Sequence, residues 1–149
     1  MEAALDIYQR HLDLVTGAFW DRDFATVVLE TRFPHRMATS DGIEEITSPT
    51  AFREVAEIYR DRLDKMGATA FLRVCKAAAY AEGRDDRIDG VHKVYILAGG
   101  RQLIPAYFSE LILLKEDGSW RGAGIREKSL SGSTDALRPP VGLLDSADF

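Results

Sequence analysis

The segment TAFLRVCKAAAYAEGRDDRIDGVHKVYILAGGRQLIPAYFSELILLKEDGSWRGAGIRE, residues 69–127, decides the fold of this chain. It contains four long and mostly apolar stretches, at residues 69–82, 88–98, 101–115 and 120–127. Short polar or glycine-containing turns separate these stretches, which is typical of consecutive antiparallel strands. The segment therefore predicts a four-stranded antiparallel meander.

The preceding residues predict three helices and one short hairpin. Apolar side chains at steps of three and four indicate a helix over residues 3–18. Asp21 and Asp23 are candidate N-caps for a second, shorter helix that Pro34 would end. Residues 35–47 resemble a hairpin that turns at Ser40-Asp41-Gly42, and residues 48–67 form the clearest helix, with a serine cap and a proline at its first position. Helices followed by a meander favour an α+β fold, a curved antiparallel sheet wrapped around a helix with a pocket between them.

Composition and charge limit the possible functions. A chain of 149 residues fits one domain, with residues 1–128 as the domain and residues 129–149 as an irregular tail. The net charge of −5, with no block of Lys or Arg, argues against nucleic acid as a partner. The apolar runs are too short for a membrane span, and the acidic N-terminus is unlike a secretory signal.

The cysteine and histidine content suggests a cytoplasmic protein without a metal. Cys75 is the only cysteine in the sequence, so no internal disulfide can form, and a buried inert thiol is the favoured interpretation. The three histidines lie far apart and do not give a zinc-binding spacing. On this pattern His35 would be exposed and idle, and His11 would lie on the polar side of the first helix.

Hairpin geometry predicts which side chains share a face of the sheet. A turn at Gly99-Gly100 pairs His92 with Tyr107, and a turn at Asp117-Gly118 pairs Ser109 with Arg126. These four polar groups would then cluster on an otherwise apolar face, at the open end of a pocket. The opposite face mixes charged and large apolar side chains, which favours a homodimer interface through the outer face of the sheet. A slip of one residue, for instance at the proline in the third strand, would move part of this set to the other face.

These features resemble the nuclear-transport-factor-2-like superfamily, and specifically its SnoaL-like branch. The resemblance covers roughly residues 4–127 and rests on three motifs: Phe19-Trp20-Asp21-Arg22-Asp23-Phe24, the third helix, and the final hairpin Lys115-Glu116-Asp117-Gly118-Ser119-Trp120-Arg121. It implies a cone-shaped α+β barrel, also called cystatin-like, that is commonly homodimeric and holds a small-molecule pocket. Some members are dehydratases, isomerases, dehydrochlorinases or polyketide cyclases, and many others have no known activity, so the fold does not fix the function.

The resemblance also implies a candidate mechanism. Enzymes of this superfamily often pair a pocket histidine with an aspartate from the first helical region, and His92 and Asp23 are the candidates here. His92 would be the general base, and Asp23 would fix its tautomer and stabilise the imidazolium. Arg126 could bind an oxyanion, while Tyr107 and Ser109 could donate hydrogen bonds to a carbonyl group. This set suits a cofactor-free lyase or isomerase that acts on a small apolar or carbonyl-containing molecule.

Tyr59, Trp20 and Trp120 complete the set of candidate ligand contacts, and core packing is the alternative role for Trp20. The other candidates also have structural alternatives. Asp23 could be a simple N-cap, and His92 could bond only Tyr107 or a backbone group. Arg126 could form a salt bridge with an aspartate of the loop that joins the first two helices.

Three functional hypotheses follow. The first is the cofactor-free enzyme described above. The second is a binding module that sequesters or senses an apolar ligand without changing it. The third is a dimeric interaction domain whose pocket is vestigial and filled by side chains such as Trp120 and Tyr59.

Overall fold

A computed structural model of the chain describes residues 1–39 and 42–127. The helices and strands are α1 (Ala4–Trp20), α2 (Phe24–Leu29), β1 (Thr31–Thr39), β2 (Gly42–Ile46), α3 (Pro49–Lys65), β3 (Ala70–Tyr80), β4 (Arg87–Ala98), β5 (Arg101–Gln102), β6 (Tyr107–Glu116) and β7 (Ser119–Glu127). The expected turn residues Ser40 and Asp41 and the expected tail at residues 129–149 lie outside the described residues.

Within the described residues, the seven strands form one sheet in the order β2-β1-β7-β6-β4-β3, with β5 paired to β4. All pairs are antiparallel except β1 with β7, which is parallel. The sheet is therefore mixed, whereas the sequence predicted a purely antiparallel one. A parallel pair needs a long connection, and here α3 and strands β3 to β6 separate β1 from β7 along the chain. In these residues, no helix combines the length and the hydropathy that a membrane span requires.

Most of the helix ends predicted from local sequence signals are confirmed. Ser48 caps α3 by accepting a hydrogen bond from the backbone N–H of Ala51, and Gly67 adopts a φ of 83° just after the helix. Asp23 caps α2. The role expected for Pro34 is wrong, because α2 ends at Leu29 and Pro34 lies inside β1 after a cis peptide bond.

Among the described residues, the apolar core has two large clusters and a small third one formed by Met37 and Ile46. The α1 cluster packs α1 against the middle of the sheet and consists of Ala4, Ile7, Tyr8, Leu12, Ile88, Leu111 and Leu113. The α3 cluster joins α3, the end of α1 and α2 to the sheet and consists of Phe19, Phe24, Val27, Ala56, Leu63, Ala68, Val94, Ile96, Ile104 and Tyr107. The space between α1, α3 and the sheet borders both clusters and contains the candidate site.

Irregularities in two strands decide which side chains face that space. The first lies at Pro105, where the predicted long third strand divides into β5 and β6. Ala98 pairs with Arg101 beside the Gly99-Gly100 turn, but the predicted pair His92–Tyr107 is wrong, because His92 pairs with Ser109 and Val94 pairs with Tyr107. The register therefore shifts by two residues. An even shift keeps every side chain of β6 on its predicted face.

The second irregularity lies in β7 and changes the site. Lys115 pairs with Trp120, as the predicted turn at Asp117-Gly118 requires. Leu113 then pairs with Gly122 and Ile112 with Gly124, so Ala123 is an extra residue on β7. A single extra residue reverses the faces of all residues after it. The predicted pair Ser109–Arg126 is therefore wrong: Ser109 pairs with Glu127.

Candidate functional site

A cavity of about 170 Å³ lies between α1, α3 and the inner face of the sheet. Most of its lining is apolar, and the chain's three histidines are all part of it. The polar lining residues are His11, Thr31, His35, Tyr59, Arg73, His92, Tyr107, Ser109 and Glu127. An apolar cavity with a few convergent polar groups is the usual form of a small-molecule site.

His92 is the fully buried polar group of this cavity. It lies on β4 with an exposed fraction of 0%, and its Nδ1 forms a 2.7 Å hydrogen bond with the hydroxyl of Tyr8. Its Nε2 is buried and has no hydrogen-bond partner among residues 1–39 and 42–127. Burial and the nearby positive charge of Arg73 hold the pKa of His92 well below its usual value. The ring is therefore neutral at physiological pH.

Gly90 makes the bond between Tyr8 and His92 possible. A Cβ at Gly90 would lie 2.2 Å from Cε2 of Tyr8, far inside van der Waals contact. The absence of a side chain there lets the tyrosine ring lie against β4. Burial raises the pKa of the Tyr8 hydroxyl far above its usual value, so Tyr8 is a neutral partner for the imidazole.

Asp23 does not contact His92, so the predicted Asp–His pair is absent. Asp23 is exposed at the start of α2, where its carboxylate accepts hydrogen bonds from the backbone N–H of Thr26 at 3.2 Å and from its hydroxyl at 2.6 Å. These bonds lower the pKa of Asp23. The side chain is an N-cap, which was the structural alternative, and Tyr8 takes the position next to His92.

Three predicted ligand contacts do line the cavity: Tyr59, Tyr107 and Ser109. The hydroxyls of Tyr59 and Tyr107 lie 3.2 Å apart, within hydrogen-bond distance. Burial raises the pKa of Tyr59 to about 12 and that of Tyr107 well above its usual value. The hydroxyl of Ser109 donates to the backbone carbonyl of Arg126 at 3.2 Å.

Arg126 lies outside the cavity, contrary to the prediction. The extra residue in β7 directs it to the outer face, where it forms an ion pair with its cross-strand neighbour Glu110. The alternative salt bridge between Arg126 and an aspartate of the loop that joins α1 and α2 does not form either, and Arg22 of that loop makes ion pairs instead. Arg22 lies in the loop between α1 and α2 and contacts Asp61 at 2.8 Å and Asp64 at 2.6 Å on α3.

The two tryptophans are also not part of the cavity lining. Trp20 stacks on the guanidinium of Arg60, whose central carbon lies 3.7 Å from the ring centroid. Trp120 packs against Tyr80 at the far edge of the α1 cluster, with 6.2 Å between ring centroids. A vestigial pocket filled by Trp120 is therefore wrong for this chain.

Two histidines that were expected on the surface are buried beside His92. Nε2 of His11 lies 3.2 Å from the carbonyl of Glu30, and Nδ1 of His35 lies 3.2 Å from the carbonyl of Gly122. Burial lowers the pKa of each to about 4. His11 follows Tyr8 by three residues on α1, and that helical spacing was a signal that could have placed it on the buried face. No set of three metal-ligating side chains among the described residues can hold an ion.

Sequence reasoning also missed two charged residues of the cavity. Arg73 lies on β3, and its Nε donates to the hydroxyl of Thr16 on α1 at 2.7 Å. Burial lowers its pKa, and its charge interacts with the three tyrosines Tyr8, Tyr59 and Tyr107. Glu127 lines the same cavity because of the extra residue in β7. Alternation along β3 was an available signal for Arg73, since it shares a strand face with Phe71.

Comparison with solved structures identifies the fold. A protein of unknown function from Nostoc punctiforme, described as having a cystatin-like fold, superposes with a TM-score of 0.65 at 10% identity, covering 89% of this chain and 81% of that one. An NTF-2-like protein of unknown function from Shewanella oneidensis superposes with a TM-score of 0.62 at 13% identity, covering 82% of this chain and 96% of that one. A proposed aromatic ring hydroxylase from Novosphingobium aromaticivorans superposes with a TM-score of 0.62 at 12% identity, covering 91% of this chain and 96% of that one.

The fold is nuclear-transport-factor-2-like. This confirms the fold expected from the sequence, while the narrower resemblance to the SnoaL-like branch stays a prediction. No protein-family model and no curated protein matches the chain. At these identities the likeness establishes the fold alone, so the function has to be argued from the cavity.

Proposed function

We propose that this nuclear-transport-factor-2-like protein binds a small, mostly apolar carbonyl compound in its cavity and catalyses a proton transfer on it without a cofactor. One observation carries the proposal: Nδ1 of His92 is held by Tyr8, while the buried Nε2 has no partner among the described residues and belongs to a side chain of the cavity wall. A ligand with a complementary group would satisfy that nitrogen.

His92 is the proposed general base. In the tautomer that carries the proton on Nδ1, the Tyr8 oxygen accepts the Nδ1–H, and the lone pair of Nε2 is free to remove a proton next to the ligand carbonyl. Tyr107 and Tyr59, which share a hydrogen bond, would stabilise the negative charge that develops on the carbonyl oxygen. Elimination or isomerisation would follow, so the activity would be that of a lyase or an isomerase.

Hydrogen–deuterium exchange on ring-sized ketones tests this proposal. Acetophenone and cyclohexanone would be incubated with the protein in D₂O, and proton NMR would follow loss of the protons next to the carbonyl. We expect exchange faster than in buffer, and a return to the buffer rate in His92→Asn. Asp23→Asn, which keeps a helix-capping side chain outside the cavity, should exchange like the wild type. Equal exchange in the wild type and His92→Asn would contradict a catalytic role.

Binding without chemistry is the second candidate, and the environment of His92 favours it. The partner of His92 is a neutral tyrosine, and burial and Arg73 lower the pKa of the ring. Both features disfavour the imidazolium that a general base must form. On this alternative, a ketone would bind in the cavity and be recovered unchanged, with wild-type and His92→Asn proteins giving the same buffer rate of exchange.

We also propose that the protein forms a homodimer through the outer face of the sheet. Support comes from three exposed apolar side chains on the two strands that flank β4, namely Leu72 and Val74 on β3 and Phe108 on β6, with exposed fractions of 48%, 40% and 44%. Lys93 lies between Val74 and Phe108 in the sheet register. Sedimentation velocity at micromolar concentration should show a dimer, and Phe108→Lys should shift it to the monomer. A wild-type protein that sediments only as a monomer would contradict the proposal.

A further inference from the structure

We propose that the ligand of this cavity is an organic anion, a carboxylate attached to a single six-membered ring, and that Arg73 binds its carboxylate. This inference rests on the proposed function, because it names the chemical class that the same cavity accepts. It differs from the expectation that an arginine on the last strand binds the anion, since Arg126 faces the other side of the sheet.

Arg73 has the geometry of a carboxylate receptor. It lies opposite Val94 in the sheet, lines the cavity, and donates its Nε–H to Thr16 on α1. That bond fixes the plane of the guanidinium and leaves the four N–H groups of its two terminal nitrogens for other acceptors. Among residues 1–39 and 42–127, no carboxylate forms an ion pair with Arg73. A planar fork of N–H donors matches the two oxygens of a carboxylate.

Arg73 is the cationic side chain of the cavity lining. The histidines and tyrosines of the lining are neutral at physiological pH, so they do not offset the charge of Arg73. Glu127, the acidic lining residue, and Arg73 act with opposite sign on the hydroxyls of Tyr59 and Tyr107. A ligand carboxylate would therefore be attracted to Arg73 and Thr16 and repelled from Glu127. The charge of Arg73 interacts with that of Asp13 but forms no ion pair with it, so an anionic ligand would give this half-buried cation a direct partner.

The size and lining of the cavity set the rest of the ligand. Its volume is about 170 Å³, and an apolar cavity of roughly 150 Å³ binds benzene. Phe19 and Phe71, with 5.4 Å between ring centroids, form one aromatic wall, and Tyr59 lies 5.5 Å from Phe19. Aromatic walls favour a flat ring through offset or edge contacts. Benzoate is the simplest molecule with these properties.

Calorimetric titration with three matched compounds tests the inference. Benzoate carries the anion, benzamide is its neutral counterpart of the same shape, and acetophenone is a neutral ketone of similar size. At about pH 7.5, benzoate is ionised and the buried histidines are neutral. We expect benzoate to bind at least about tenfold more tightly than benzamide, because the hydrogen bonds to Arg73 are charge-assisted. In Arg73→Gln, the two compounds should bind equally.

Arg101→Gln is the matched control, since Arg101 is an exposed arginine on β5 outside the cavity. It should keep the wild-type preference for benzoate. Equal binding of benzoate and benzamide to the wild type, or tighter binding of benzamide, would overturn the anionic ligand and leave the carbonyl site in place. An undiminished preference in Arg73→Gln would overturn the role of Arg73. Failure of all three compounds to bind at millimolar concentration would overturn both this inference and the proposed function.

Discussion

The two sides of the core use the same inner sheet face in different ways. In the α1 cluster, Tyr8, Leu12, Ile88 and Leu113 are all 0% exposed, and their side chains fill the space between helix and sheet. Toward α3 the same face leaves a cavity lined by neutral histidines, two tyrosines and an arginine. His92 lies at the boundary, since its Tyr8 partner belongs to the filled side. The filled side therefore positions the polar group, and the open side presents it to a ligand.

The largest expected effect is a loss of stability in acid, which should come from the buried histidines of the cavity side. The pKa values of His11 and His35 in the folded protein are about 4, below the unfolded value of about 6.5, so the unfolded chain binds more protons between these pH values. The histidine contribution to stability should be complete above about pH 6.5, fall as the pH drops towards 4, and level off below it, where carboxylates with lowered pKa values such as Asp23 begin to add their own loss. Each histidine should cost on the order of 3 kcal/mol by pH 4.

Urea denaturation across this pH range measures the effect. His11→Gln and His35→Gln, each tested alone, should give a shallower loss of stability than the wild type. A free energy of unfolding that is constant from pH 6.5 to 4 would contradict the burial of neutral histidines in the cavity.

Shortening an apolar side chain should reduce the free energy of unfolding more in the α1 cluster than beside the cavity. Leu12→Ala removes a fully buried side chain of the α1 cluster, and we expect a loss of about 2–5 kcal/mol. Val15→Ala, one turn later on α1, trims a side chain that already borders the cavity, and we expect about 1 kcal/mol. Urea denaturation of both variants tests the difference, and equal losses would contradict the division of the core.

Two glycines offer a matched test of the Tyr8 position. Gly90→Ala would bring a methyl group to 2.2 Å from the Tyr8 ring. We expect the free energy of unfolding to fall by about 1–3 kcal/mol, and the hydrogen bond between Tyr8 and His92 to break. Gly122→Ala meets nothing closer than 3.5 Å, so its effect should be below about 1 kcal/mol. Thermal denaturation of both variants would decide, and a harmless Gly90→Ala would show that the ring does not lie against β4.

The smallest expected effect concerns a single hydroxyl. Tyr8→Phe keeps the ring and removes the partner of His92, for an expected loss of about 1 kcal/mol. Tyr95→Phe, on the outer face of the sheet, is the control and should be close to neutral. Thermal denaturation would measure both, and equal melting temperatures for Tyr8→Phe and the wild type would indicate that the Tyr8–His92 bond contributes nothing.

The sequence predicted the fold better than the site because the two depend on different information. The limits of α3 follow from local signals at Ser48, Pro49 and Gly67, and strand spacing follows from the turns. The faces of β7 depend on one extra residue, Ala123, between two glycines. Glycine in a strand is a known sign of a bulge, so that run was a usable signal.

The partner of His92 could not be predicted in the same way. Asp23 and Tyr8 both belong to the first helical region and carry groups that can bond an imidazole. Only the three-dimensional structure shows which of the two reaches His92. The approach of Tyr8 to β4 depends on the missing side chain of Gly90, which lies 82 residues further along the chain. Such a contact is a property of tertiary packing and leaves no local pattern.

The most direct test of the account is ¹⁵N NMR of the His92 ring nitrogens, recorded across pH with and without benzoate. We expect a neutral ring in the free protein at about pH 6, where an unperturbed histidine is mostly protonated. On benzoate binding, a shift of the Nε2 signal and a higher pKa of His92 should follow, because the carboxylate offsets the charge of Arg73. A His92 that titrates near pH 6.5 and does not respond to benzoate would contradict the buried, ligand-facing imidazole.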